Sequence, residues 1–117
     1  MKSHKDLKVY QESLLLVESI YQLTKKFPNS ETYGLSIQMR RAVISVPSNI
    51  AEGASRNGSK EFIRFLYISM ASLTELETQL EISRRLNLIL RIQEEEKRII
   101  FIKIMLQKLI QSIYPKN

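Results

Sequence analysis

Three features of the sequence predict an all-α fold: an antiparallel up-down-up-down four-helix bundle with a proline-kinked second helix. Apolar residues recur at steps of three and four along four long segments. The three glycines and three prolines punctuate those segments. The connections left between the segments are short, which favours antiparallel neighbours.

Helix one is expected over about residues 5–26, ending before Pro28-Asn29-Ser30. Leu7, Tyr10, Leu14, Val17 and Tyr21 share one face and are assigned to the core. Val9, Leu16, Ile20, Leu23 and Phe27 form a second stripe, roughly 130° away at 100° per residue. Lys8, Gln11, Glu12, Glu18, Gln22 and Lys26 fill the remaining arc.

Helix two is expected over about 30–54, with Leu35, Met39, Ala42, Val43, Val46 and Ile50 facing the core. Pro47 lies inside it. Its missing N–H and its ring predict a bend near Val43 to Val46, with the helix continuing to Ile50. Gly53 and Gly58 bracket a polar turn, Ala54-Ser55-Arg56-Asn57.

Helix three is expected over about 59–86, capped by Ser59, with Glu61 in its favourable first turn. Phe62, Leu66, Leu73, Leu76 and Leu80 make its core stripe, and Ser69 on that stripe allows close helix approach. Asn87 is assigned as its C-terminal cap. Helix four is expected over about 93–113, opening on Glu94, Glu95 and Glu96 and closing at Pro115. Ile99, Ile102, Leu106, Leu109 and Ile113 form its core stripe.

A chain of 117 residues makes one domain, assigned to 1–117, large enough for a core without covalent staples. The absence of cysteine excludes thiolate nucleophiles and Cys-based metal sites, and a single histidine, His4, leaves histidine-rich metal sites and Ser-His-Asp catalysis almost nothing to work with. A di-iron bundle needs Glu-x-x-His pairs, which are missing, so Glu75, Glu77, Glu81 and Glu94 to Glu96 read as a solvated face. The expectation is a cytoplasmic, non-enzymatic protein with no catalytic residues, metal or cofactor. No apolar run reaches the ~20 residues of a membrane span, so no membrane partner is expected.

Helices one and four carry more apolar residues than the three per seven that a core-facing helix needs. That surplus predicts a homo-oligomer, with Leu16, Ile20, Leu23 and Phe27, and Ile100, Phe101, Ile104 and Met105, at the subunit contacts. The alternative is a lopsided core.

The net charge of +6 favours polyanions. Arg40, Arg56, Lys60 and Arg64 lie around the proline and the following turn, and Arg84, Arg85 and Arg91 near the far end of helix three; these are the candidate nucleic-acid contacts. For Arg41, pairing with Glu52, Glu75 or Glu77 is the preferred reading. Arg41, Pro47, Ser48, Asn49, Glu52 and Glu75 are thus assigned a structural role at the bend, with Ser48 and Asn49 bonding freed backbone groups.

The segment Ser45-Val46-Pro47-Ser48-Asn49-Ile50-Ala51-Glu52-Gly53 also carries a resemblance. With Tyr33-Gly34-Leu35, Gln38, Arg40-Arg41-Ala42, Glu61-Phe62, Phe65-Leu66, Ser72-Leu73, Glu75-Leu76-Glu77, Met105-Leu106 and Leu109-Ile110, it resembles the bacterial four-helix-bundle proteins first noted within 23S ribosomal RNA intervening sequences. The accessory variability proteins of diversity-generating retroelements are similar. The resemblance runs from about Leu7 to Ile113 and departs at Leu88-Ile89, where relatives more often carry Gly-Tyr. It implies a ring-like homopentamer, RNA or DNA binding on basic surface, and in the retroelement proteins a reverse transcriptase partner. It supplies no catalytic residue. The functional expectation is a homo-oligomeric bundle that binds RNA or DNA backbone; the alternative is a protein-interaction scaffold without a nucleic-acid role.

Overall fold

The computed structural model describes residues 3–32 and 34–114; Tyr33 and Pro115 lie outside the described residues. Four helices carry the chain: α1 (Lys8–Thr24), α2 (Leu35–Ala54), α3 (Ser59–Arg85) and α4 (Gln93–Ile113). α2 packs on α1 and α3, and α4 on α3 and α1, which closes the bundle. Between α2 and α3, Val46 meets Ser69, Ser45 meets Ser72, and Met39 meets Ser83, so the two helices run in opposite directions.

α1 and α2 are shorter than their periodicity suggests. Leu7 is extended and separates α1 from a 3-10 turn at His4–Asp6. At the other end Pro28 disfavours helical backbone in the residue before it, and Phe27 leaves through a turn to the Thr24 carbonyl at 3.1 Å. A second 3-10 turn, Asn29–Glu31, precedes α2, whose Leu35 N–H is capped by Glu31 Oε1 at 3.2 Å.

The two stripes of α1 exchange the roles expected of them. Leu16 and Ile20 are fully buried in the bundle's own core, with Val9 and Phe27 nearly so, whereas Tyr10, Leu14, Val17 and Tyr21 are only half-buried. Leu16 and Ile20 are therefore removed from any subunit contact, while Phe27 is largely buried and Leu23 half-buried. Both stripes have helical spacing, and only the positions of α2 and α4 decide which one turns inward. On α4 the expected core residues Ile99, Ile102 and Leu106 are buried, joined by Ile110, while Ile100, Phe101 and Ile104 stay about half exposed and Met105 is half-buried.

α2 runs unbroken through Pro47. Around it, Asn49 Nδ2 donates to the Ser45 carbonyl at 2.8 Å and Ser69 Oγ to the Val46 carbonyl at 2.8 Å. Ser48 is exposed and makes no hydrogen bond among the described residues, against the expectation for it. Ser69, Ser72 and Ser83 are all buried on α3, where their small side chains let α2 approach closely.

Gly53 does not open the turn; it lies in the last turn of α2, buried against α3. A Cβ there would stand 2.7 Å from Cβ of Phe65 and 3.1 Å from Cδ1 of Phe62. Gly58 makes the turn instead, with φ +96°, and holds the cap position expected of Ser59, which is already the first helical residue. Asn87 does end α3: its φ of 62°, with the Leu88 N–H on the Ser83 carbonyl at 2.9 Å and its own N–H on Arg84 at 3.0 Å, forms a Schellman close.

Candidate nucleic-acid interface

Two groups of basic residues stand out. The first is occupied by nearby acids. Arg56 pairs with Glu52 at 3.1 Å and Arg64 with Glu61 at 2.9 Å, and both guanidinium groups lie over the Phe65 ring. Arg84 and Arg85 converge on Glu81, while Lys103 reaches across from α4 to Glu77. These pairs leave a trace in acidity. The hydrogen bond from Arg64 holds the Glu61 carboxyl below the usual carboxylate range, and those from Arg84 and Arg85 do the same to Glu81. Glu75, assigned to the bend, accepts instead from Gln79 at 3.3 Å, one helical turn along α3.

The second group lines a groove of about 510 Å³ between the end of α1 and the first half of α2. Lys25, Arg40 and Arg41 border it, together with Tyr21, Thr24, Thr32, Ser36, Ile37 and Ile44, and among the described residues no carboxylate lines it. Arg41, expected to pair internally, is exposed here and makes no ion pair among the described residues. The expected partners are taken: Glu52 by Arg56, and Glu77 by Lys103.

Arg40 is the side chain that the interior holds. Its Nε–H donates to Thr24 Oγ1 at 2.9 Å, and Cζ lies 4.4 Å from the Tyr21 ring centroid. Thr24 is almost fully buried, and its hydroxyl proton goes to the Ile20 carbonyl at 2.8 Å, leaving a lone pair for Arg40. Tyr21, Thr24 and Lys25 stand outside the sequence-based candidates. Their signal is spacing: three and four residues from Tyr21 place Thr24 and Lys25 on one side of α1, next to the chain reversal at Pro28.

A larger cleft, about 880 Å³, lies between α1 and the α3–α4 connection. It holds Arg91 and Arg98, but also Glu18 and Glu95, so its field is mixed. Lys60 is exposed in the first turn of α3, away from both openings. The shallow hollow beside Asn49 contains Glu52 and no cation in its lining. Among the described residues, no three His, Asp or Glu side chains converge as metal ligands, and no helix is long and apolar enough to cross a membrane.

These features define a small helical-bundle protein with a basic groove lined by no carboxylate among the described residues. The chain belongs to the 23S rRNA-intervening sequence protein family, whose model matches residues 5–110. Comparison with curated proteins returns no match.

Proposed function

We propose that this protein is a non-enzymatic bundle that binds nucleic acid through backbone phosphates and works as a homo-oligomer in the cytoplasm. The observation that carries the reading is the groove in which Lys25, Arg40 and Arg41 stand together, with no carboxylate in the lining among the described residues. Cations already matched by acids add little net attraction; unmatched ones keep theirs for an external polyanion. Arg56, Arg64, Arg84 and Arg85 are therefore secondary contacts at most, and Arg40 leads the set.

Self-association has its own support. Ile100, Phe101 and Ile104 leave an exposed apolar stretch on α4, of the kind that marks protein contacts. A pentamer, and a reverse transcriptase as partner, enter only through the resemblance to the retroelement proteins. An assembly would repeat the groove and turn a modest site into a polyvalent one.

The test is binding of mixed-sequence single-stranded RNA and DNA at rising salt. Three phosphate contacts per protomer predict a log–log slope of about −2 for a single strand. Absence of binding at low salt sinks this reading and leaves the alternative, a protein-interaction scaffold.

A further inference from the structure

We infer that the groove between α1 and α2 is a built seat for a phosphate group, with Arg40 as the fork that receives it. The inference deepens the nucleic-acid reading and takes from it the source of the phosphate.

Arg40 is held on two sides before any ligand arrives. Thr24 Oγ1 occupies its Nε–H at 2.9 Å, and the Tyr21 ring lies under the guanidinium, with Cζ 4.4 Å from its centroid. A long side chain ordinarily loses rotamer freedom on binding; this one has lost it already. With Nε engaged, the two terminal amino groups remain as the pair of parallel donors that matches two phosphate oxygens.

The surroundings suit a phosphate better than a carboxylate. Lys25 and Arg41 bring the groove to three positive charges, more than one carboxylate neutralises and suited to a phosphate dianion or to consecutive diesters. Thr32 and Ser36 add hydroxyl donors to the lining. Arg40 covers the groove-side face of Tyr21 that it stacks on, so that face is not a platform for a base, and the seat reads phosphate rather than sequence.

The same chemistry has two sources, a phosphate within a strand and one at its 5′ end. The experiment uses the full chain labelled with ¹⁵N. It is titrated with inorganic phosphate, then with one short RNA with and without a 5′-phosphate, while the arginine Nε–Hε signals and backbone amides are followed. The expected result is a saturable shift centred on Arg40, Arg41 and Thr24. Arg40→Lys, which keeps the charge and loses the fork, weakens phosphate binding about tenfold. Tighter binding of the 5′-phosphorylated RNA assigns the seat to strand ends; equal binding assigns it to internal phosphates. Should Arg40→Lys perturb folding, the exposed pair Lys25→Gln and Arg41→Gln replaces it, with about the same loss expected. Shifts scattered over the whole basic surface, or phosphate binding unchanged in these variants, overturn the inference. RNA binding that survives such a result leaves the nucleic-acid reading standing. Phosphate seated in the groove without any RNA binding overturns that reading and spares the seat.

Discussion

Thr24 accepts a hydrogen bond from Nε of Arg40 at 2.9 Å while donating its own proton to the Ile20 carbonyl at 2.8 Å. One buried hydroxyl thus ties the cation of α2 to the backbone of α1. Thr24→Val keeps the shape and removes both bonds. We expect a loss of about 1 kcal/mol in urea unfolding. RNA affinity should fall about threefold or more, because Arg40 must then be ordered on binding. Thr24→Ser should restore both, and anisotropy with a labelled oligonucleotide reads the second effect.

Gly53 is held to hydrogen by Phe65, whose Cβ a new Cβ would meet at 2.7 Å, with the Phe62 carbonyl oxygen at 3.2 Å. Backbone and Cβ atoms cannot swing aside as a side-chain tip can, so α2 and α3 must separate at this end. Gly53→Ala should destabilise by about 1–3 kcal/mol despite the better helix propensity of alanine. Chemical denaturation of the variant against the parent measures it, and an unchanged midpoint would refute the close packing.

The exposed apolar residues of α4 give a prediction about assembly. Ile100 is 53% exposed and Ile104 49%, so charges there cost the isolated bundle little. Ile100→Glu with Ile104→Glu should leave helical content and thermal stability nearly unchanged but shift sedimentation towards the monomer. Leu16→Ala makes the contrast: Leu16 is fully buried, and its truncation should cost about 2–5 kcal/mol.

Acid should weaken the molecule through Glu61 and Glu81. Both are held below their ordinary value of 4.5, chiefly by hydrogen bonds from Arg64 and from Arg84 with Arg85. A carboxyl with a depressed folded-state pKa binds protons more readily once unfolded. Its contribution is complete above about 4.5 and is lost as pH falls through the lower, folded value. Both side chains are more than a third exposed, so the loss should be shallow and further reduced by salt. Thermal melts from pH 6 to pH 3 should show a shallower decline in the double variant Glu61→Gln and Glu81→Gln.

Much of the architecture is legible in residue spacing alone. α4 begins and ends at the residues its periodicity names, because the acids Glu94 to Glu96 and the stripe from Ile99 onward agree with each other. Asn87 is recognisable as a cap because few residue types tolerate the left-handed conformation it adopts. The groove is less legible. Arg40 is identifiable as a basic residue, but its partner Thr24 lies sixteen positions away on another helix. Arg41 next to it gives no local sign that it turns outward.

The sequence by itself determined four helices, their order and their family, because period, breakers and caps act within a few residues. The tertiary structure alone decided which stripe of α1 is core, why Gly53 must be glycine, and which arginines pair with acids among the described residues. The physical reason is the same in each case. A helix can present two apolar stripes or two neighbouring arginines equally well, and only the surface packed against it selects the one that is buried or paired. That selection buries Leu16 and Ile20, matches Arg64 with an acid of its own helix and Arg56 with Glu52 at the end of the preceding one, and leaves Lys25, Arg40 and Arg41 together in a groove.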